Sequence, residues 1–177
     1  MWRALKYVAY RLIRLPGTPY SIAAGLAAGA AVSFTPFLGL HFVIGALLAL
    51  ASRGNVVAAL IGTFVGNPWT FPLIWALIYS LGRWFLGFDP DASPPQGLSL
   101  SLLLEHPRQV LYPMVLGAIP ASTVVWILVF APSYLLVGRY QALRDARRQR
   151  GRRRRDKKNA RRDGRYLAKA EEGGGGV

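Results

Sequence analysis

The fold of this chain is decided by residues 15–52, LPGTPYSIAAGLAAGAAVSFTPFLGLHFVIGALLALAS, which contain no Asp, Glu, Lys or Arg. Two further windows, residues 54–82 and 109–138, also lack all four residue types. Each window is longer than the ~20 apolar residues that cross the ~30 Å hydrocarbon core of a bilayer. A surface helix in water would instead need a charged or polar face. The sequence therefore predicts an all-α, polytopic integral membrane protein whose helical membrane domain covers residues 16–138.

The composition favours the same class of protein. Apolar residues make up 53% of the chain and charged residues 17%, against roughly 25% charged residues in soluble domains. The chain contains no cysteine, which excludes disulfides, thiolate metal sites and thiol nucleophiles. No cofactor or metal site is predicted, because His41 and His106 lie far apart in sequence and a metal needs three or four ligands.

Basic residues are concentrated at the two ends of the chain. Residues 139–177 hold 15 of the 22 Lys and Arg residues, and residues 1–15 interleave four basic residues with apolar ones. We expect residues 1–15 to form an amphipathic segment on the membrane surface; a cytosolic extension of the first membrane helix is the alternative. Because basic segments collect on the cytoplasmic side, both termini are predicted to be cytoplasmic at the inner membrane. The acidic, proline-rich stretch 88–108 is then external.

The basic segment 139–177 is predicted to be a mostly disordered cytoplasmic tail with some helix near the membrane, because it has too few apolar residues to form a core. Such clusters bind anionic lipid headgroups at roughly 1 kcal/mol per basic residue. Nucleic-acid binding is disfavoured, because only Tyr166 stands among the arginines to stack on bases. Membrane lipids are therefore the predicted partners, while protein partners and a homo-oligomer stay open.

Helix boundaries are marked by capping residues that precede proline and by glycine–asparagine pairs. These signals are Thr18-Pro19, Thr35-Pro36, Gly54-Asn55 and Gly66-Asn67-Pro68. They predict that Gly54 and Gly66 end helices in the left-handed conformation. The resulting helices are at about 19–34, 36–52, 56–66 and 68–87. At ~1.5 Å per residue, the first three are too short to span a bilayer comfortably.

Thr35-Pro36-Phe37 and Asn67-Pro68-Trp69 lie 32 residues apart and share the order polar residue, proline, aromatic residue. We interpret them as a weak internal repeat of two broken, re-entrant hairpins; coincidence in a membrane chain rich in proline and glycine is the alternative. Non-helical backbone at membrane depth must be buried in protein or line a wet cavity. The breaks at Pro36, Gly39 and Pro68 therefore define the predicted functional region.

Gly25 and Gly29 form a GxxxG pair within a run of alanines. Small residues allow two membrane helices to approach closely. We expect an intramolecular helix contact here rather than a dimer interface.

Three motifs together resemble a known family. FTPFLGLH at residues 34–41, SRGN at residues 52–55 and GTFVGNPWTFPL at residues 62–73 are similar to elements of the bacterial membrane family called domain of unknown function 2062. The resemblance covers roughly residues 16–138. It implies a polytopic bacterial inner-membrane protein without an assigned activity.

His41 is a candidate because it is an ionisable side chain inside an apolar window. Such groups in membrane segments are functional candidates by default, and histidine changes charge near neutral pH. The alternative is a neutral imidazole that hydrogen-bonds a backbone carbonyl at the broken helix.

The remaining candidates are polar or cationic residues near the predicted helix ends. They are Thr35, Arg53, Asn55, Asn67, Thr70 and Arg83. The amides and hydroxyls either coordinate a substrate or cap freed backbone groups. The two arginines either hold a lipid phosphate or an anionic substrate, or bind the last helix carbonyls and snorkel to headgroups. Helix starts at Pro36 and Pro68 would turn positive dipole ends toward an anion between them.

No Asp or Glu lies in any apolar window, so acid–base pairs and a Ser–His–Asp triad cannot be assembled there. No enzymatic activity is predicted. The first remaining class is a transporter or flippase-like carrier of a lipid or a small polar or anionic solute, which would use the paired broken helices. The second is a non-catalytic membrane scaffold or accessory subunit. An open polar cavity at the breaks favours the carrier, whereas dry packing against Phe37, Trp69 and Trp75 favours the scaffold.

Overall fold

The computed structural model describes residues 15–37, 39–87 and 107–173, and every regular element in these ranges is helical. The predicted all-α fold is therefore confirmed for the described residues. A 3₁₀ helix, Thr63–Val65, follows the third α-helix. The α-helices in chain order are α1 (Pro19–Val32), α2 (His41–Ala51), α3 (Val56–Gly62), α4 (Phe71–Phe85) and α5 (Pro107–Gly173).

The chain divides into two compact units, residues 1–138 and 139–177. The predicted amphipathic segment, apart from Leu15, and residues 88–106 of the predicted external loop lie outside the described residues. By length and composition, one helix in the described part of the chain can cross a membrane, within Arg108–Arg153 of α5. Shorter apolar helices lie at Pro19–Val32, His41–Ala51 and Val56–Val65.

Helix α1 begins where the sequence indicates. The Thr18 side chain accepts a hydrogen bond from the Ser21 backbone N–H at 3.1 Å, and Pro19 occupies the first helical turn. Proline suits this position because its missing N–H would have no helical acceptor there. The helix ends at Val32, and Ser33 follows it as the buried C-cap.

Glycines bring α1 and α3 into backbone contact. A Cβ at Gly25 would overlap the carbonyl oxygen of Asn55, and a Cβ at Gly29 would overlap that of Ala59. The order of these pairs makes the two helices parallel. On the α3 side, Gly62 meets the carbonyl oxygen of Leu26 in the same way. The predicted intramolecular role of the GxxxG pair is therefore confirmed.

Helix α2 runs antiparallel to α1, since Gly45 lies against Gly29 and Ala49 lies in one cluster with Ala28. Its end is a Schellman motif: the N–H of Arg53 donates to the carbonyl of Leu50 at 3.0 Å, and that of Gly54 to Ala49 at 2.6 Å. The left-handed residue is Arg53, with φ 54°.

The prediction that Gly54 is the left-handed residue is therefore wrong. Gly54 is required for a different reason: a Cβ there would lie 2.6 Å from the backbone nitrogen of Gly25. Gly66 is not left-handed either, with φ −82° and ψ 103°. A Cβ at Gly66 would lie 2.9 Å from the Cβ of Ser33. At both positions close packing, rather than backbone angle, excludes a side chain.

Helices α4 and α5 form a second close antiparallel crossing. A Cβ at Gly82 would overlap the carbonyl oxygen of Pro113, and a Cβ at Gly117 would overlap that of Ile78. The largest buried apolar cluster lies along this crossing. Its members are Ile74, Trp75, Ile78, Tyr79, Val110, Met114 and Ala121.

Two predicted helix starts are shifted in the structure. Helix α2 begins at His41 instead of residue 36, and α4 at Phe71 instead of residue 68. Helices α1 and α2 form an antiparallel hairpin, and the repeat of two re-entrant hairpins stays a prediction. Helix α4 packs on α5 through Gly82 and Gly117.

The prediction that residues 139–177 are mostly disordered is also corrected. Helix α5 extends to Gly173. Proline is absent after Pro132, and 20 of the 39 residues of the segment are Arg, Lys or Ala. These residues have high intrinsic helix propensity, so a segment without a core can still be helical.

Candidate functional site

The break before α4 is a reciprocal capping box. The Asn67 Oδ1 accepts hydrogen bonds from the backbone N–H groups of Trp69 and Thr70, both at 3.0 Å. The Thr70 hydroxyl accepts from the Asn67 N–H at 2.9 Å and lies 2.8 Å from the Val65 carbonyl, to which it can donate. Each residue thereby satisfies a backbone group in the turn that leads into α4. The capping interpretation of Asn67 and Thr70 accounts for these contacts.

The break before α2 is built differently. The Thr35 hydroxyl donates to the Val32 carbonyl at 2.7 Å, so it closes α1 instead of capping the next helix. The residue before α2, Leu40, makes no side-chain capping bond. Gly39 has φ +86° with open space around the position of a Cβ, so backbone angle alone favours glycine there. Pro36 is buried beside this turn.

Asn55 holds two segments together. Its Oδ1 accepts from the Ala58 N–H at 3.1 Å as the N-cap of α3, and its Nδ2 donates to the Pro16 carbonyl at 3.0 Å. Its backbone N–H donates to the Ser21 carbonyl at 2.7 Å. Asn55 therefore ties the start of α3 to the start of α1, and the neighbouring Arg53 side chain is exposed.

His41 lies buried at the first position of α2. Its ring is 4.2 Å from that of Phe42 and 5.9 Å from that of Phe71, measured between centroids. Its Nδ1 has no hydrogen-bond partner among the described residues, and neither does the buried Nε1 of Trp75. The predicted hydrogen bond to a backbone carbonyl is therefore not made by Nδ1.

A cavity of about 420 Å³ lies where α4 ends and α5 begins. It brings together two guanidinium groups, two phenols and an amide. The lining residues are Tyr79, Arg83, Leu86, Arg108, Gln109, Tyr112 and Pro113. The Arg83 guanidinium carbon lies 5.8 Å from the centroid of the buried Tyr79 ring, a cation–π contact. The arrangement suits an anion, because every charged residue in the described part of the lining is a cation.

The structure does not unite the predicted site residues in one cavity. His41 lies near Phe71 at the start of α4, whereas Arg83 is twelve residues further along that helix, or ~18 Å at 1.5 Å per residue. Arg53 is at the opposite end of α2 from His41. Sequence reasoning missed Arg108, Tyr79 and Tyr112. The sequence did contain a signal: Arg83 directly follows the charge-free window 54–82, and Arg108 directly precedes the charge-free window 109–138.

Many large apolar side chains of the first unit point outward. Trp69 is 92% exposed, Leu73 75% and Phe64 73%, and α2 exposes Leu47 and Leu50. Extended apolar surfaces of this kind mark sites of contact with other proteins or with membranes. In the part of the chain that the structure describes, fold and surface thus define an all-helical arrangement with a strongly apolar exterior and one helix long and apolar enough to cross a membrane.

Residues 2–146 match the sequence model of a family described as uncharacterised proteins conserved in bacteria, DUF2062. The match covers most of the chain, so this protein belongs to that family, as its motifs indicated. Neither the curated proteins nor the solved structures include a match to this chain.

Proposed function

We propose that this protein is a multi-pass inner-membrane carrier, of the transporter or flippase kind, for a lipid or small anionic solute. The observation that carries this proposal is the cavity at the ends of α4 and α5, which presents Arg83 and Arg108 beside apolar helix surfaces. A carrier for an anion needs cationic groups that attract it, and the charged residues in the described lining of this cavity are both arginines. The polar groups at the helix breaks are less suited, because capping bonds engage Asn67 and Thr70.

The placement in the membrane is part of the same proposal. The charge-free stretch 109–138 of α5 is ~45 Å long at 1.5 Å per residue, close to the ~40–45 Å of a bilayer with its headgroups. With the basic C-terminal segment in the cytoplasm, Arg108 lies at the external surface. Helices α1 and α2 are then a short re-entrant hairpin, in whose non-helical turn Ser33 and Pro36 are buried and Gly39 and Leu40 are exposed.

Single-cysteine labelling tests the topology, because the chain has no native cysteine. Ala160→Cys in intact cells should resist a membrane-impermeant maleimide and react after the cells are opened. Labelling of this variant in intact cells would place the C-terminal segment outside and reject the proposed orientation.

Lipid movement tests the carrier function. The full chain would be reconstituted into vesicles that contain fluorescent phosphatidylglycerol in both leaflets, with an impermeant quencher added outside. We expect quenching to proceed beyond the outer-leaflet pool, which is the limit in protein-free vesicles. Repeating the assay with a labelled soluble phosphate ester inside the vesicles covers the solute class. No movement of either probe would contradict the carrier.

A scaffold or accessory subunit is the second candidate, and the capping box specifically favours it. If Asn67 and Thr70 serve only the helix start, Asn67→Ala should cost ~1 kcal/mol, the usual effect of a lost N-cap, without further loss of function. In this alternative the basic helix after residue 138 binds anionic headgroups or protein partners. A deletion-strain phenotype that Asn67→Ala complements fully at normal protein abundance supports it.

A further inference from the structure

We propose that the cavity between the end of α4 and the start of α5 is a phosphate-binding site, which recognises the phosphate of a lipid headgroup or of a soluble phosphate ester. This inference deepens the proposed function and rests on it for the membrane placement. The cavity residues come from two helices that are separated by more than twenty residues in sequence.

Two arginines supply the charge that a phosphate requires. Arg83 comes from the last turn of α4 and Arg108 from the first turn of α5. Both line the cavity, and its described lining contains no Asp or Glu. A guanidinium presents parallel N–H donors whose spacing matches two phosphate oxygens. Two such groups from different helices can therefore hold one phosphate from two sides.

Neutral donors complete the recognition of an oxyanion. Tyr79 and Tyr112 contribute hydroxyl groups and Gln109 contributes an amide, and each can donate to a phosphate oxygen. Tyr79 is buried, and its ring lies against the Arg83 guanidinium. This contact holds Arg83 at the cavity wall, which lowers the entropy that the side chain loses when it binds a ligand.

The start of α5 adds a favourable dipole. Arg108 and Gln109 belong to the first turn of this helix and also line the cavity. Backbone N–H groups of a first turn have no acceptor within the helix, and they carry the positive end of the helix dipole. Anions bind at helix N-termini for this reason. The dipole acts here on the same ligand as the two guanidinium groups.

The helix crossing keeps the cavity in shape. Gly82 and Pro113 are in backbone contact, and Pro113 itself lines the cavity. Because the two backbones touch directly, the separation of α4 and α5 near Arg83 and Arg108 is fixed. The volume of about 420 Å³ falls within the ~300–1,000 Å³ of small-molecule sites.

Apolar surface beside the cavity fits the lipid source. Leu86 lines it, and the neighbouring Trp84 and Phe85 are 63% and 52% exposed. A lipid would place its phosphate between the arginines and its acyl chains along these side chains. A soluble phosphate ester would use the polar groups alone.

Binding to the purified full chain in detergent tests the site. The probes are phosphatidylglycerol, diacylglycerol with the same acyl chains but no phosphate, glycerol 3-phosphate and inorganic phosphate. Measurement at high salt screens the exposed basic residues of the second unit. The test variant is Arg83→Gln with Arg108→Gln. The matched control, Arg147→Gln with Arg150→Gln, removes the same charge from exposed positions far along the chain.

We expect the cavity variant to bind phosphatidylglycerol at least about tenfold more weakly, the scale of one charge-assisted hydrogen bond. The pair Arg147→Gln with Arg150→Gln should lose less binding than the cavity variant, because high salt screens these exposed arginines, and diacylglycerol should bind no better to the native chain than to the cavity variant. If glycerol 3-phosphate or inorganic phosphate competes for the site as effectively as phosphatidylglycerol does, the ligand is a soluble phosphate. If only phosphatidylglycerol competes, the ligand is a lipid.

Unchanged binding in the cavity variant, or an equal loss in the control pair, overturns the site. If the double variant does not fold, Tyr112→Phe takes its place, because this side chain is 60% exposed and loses only a hydroxyl. The Tyr112→Phe variant should bind phosphatidylglycerol more weakly than the native chain does and should bind diacylglycerol equally well. If the native chain binds phosphatidylglycerol and diacylglycerol equally well, the site is overturned. Phosphate binding that persists without lipid or solute movement rejects the carrier but not this site.

Discussion

Helices α1 and α2 are both apolar and free of charged residues, yet they are packed in opposite ways. Ten of the 14 residues of α1 are buried, against three of the 11 in α2. The buried set of α1 is mainly Ala and Gly, whereas the exposed set of α2 includes Phe42, Val43, Leu47, Leu48 and Leu50. Side-chain size, rather than hydropathy, therefore decides which helix lies inside.

This rule is the reverse of the one in water. In soluble proteins large apolar side chains are the ones buried, because their burial stabilises the fold most. In a bilayer, lipid solvates Leu and Phe as well as a protein core does, so small residues that allow close backbone approach collect at helix contacts. The contrast between α1 and α2 is therefore the strongest structural support for the proposed membrane location.

The largest expected effect comes from adding volume to the α1 side. Gly29→Leu places a side chain where even a Cβ meets the Ala59 carbonyl. Overpacking in cores costs ~1–3 kcal/mol when side chains can shift, and here the obstacle is backbone. We expect no folded protein in detergent extracts. Gly151→Leu, at a position with open space, is the control, and equal loss of both variants would break the comparison.

A charge on the α2 side should have an intermediate effect. Leu47 and Leu143 are almost equally exposed, at 60% and 63%, but we place only Leu47 in the membrane. Leu47→Lys should cost ~2.5–3.5 kcal/mol, and Leu143→Lys, at an aqueous surface, no more than ~0.5 kcal/mol. Unfolding temperatures in detergent and yields after membrane insertion would report the difference. If Leu47→Lys is as harmless as Leu143→Lys, then α2 faces water.

The smallest change in stability should come from a substitution at the end of α2, and any change there should be a gain in stability rather than a loss. Arg53 adopts φ 54°, which costs a residue with a Cβ roughly 1–2 kcal/mol. Arg53→Gly removes that cost but adds freedom to the unfolded chain, worth ~0.4–1 kcal/mol. The unfolding temperature should stay level or rise slightly. A clear fall would show that the guanidinium makes a stabilising contact, and Arg53→Ala, which keeps the strain, separates the two effects.

Local signals predicted the parts of the fold that are determined locally. Thr18-Pro19 correctly marks the start of α1, Asn55 caps α3, and Gly25 with Gly29 make the close contact that their spacing indicates. The start of α2 was missed because Thr35-Pro36 has the form of a cap, while the Thr35 hydroxyl turns back to Val32.

Features that depend on tertiary contacts could not be read from the sequence. Gly54 was expected to be left-handed, but Arg53 takes the left-handed position, and Gly54 instead lies where a Cβ would overlap the backbone of Gly25. The cavity at Arg83 and Arg108 depends on the antiparallel register of α4 and α5. Gly82 and Gly117 set that register, and no local pattern shows that these two glycines face each other.

Spin-label accessibility at two matched positions tests the central claim, that the large apolar side chains of the first unit face lipid. Leu47→Cys and Leu143→Cys would each carry a nitroxide in the full chain reconstituted into vesicles. We predict that the label at position 47 collides with oxygen, which concentrates in the bilayer, and is protected from a water-soluble nickel chelate. The label at position 143 should show the reverse. Nickel accessibility at position 47 equal to that at position 143 would contradict the account.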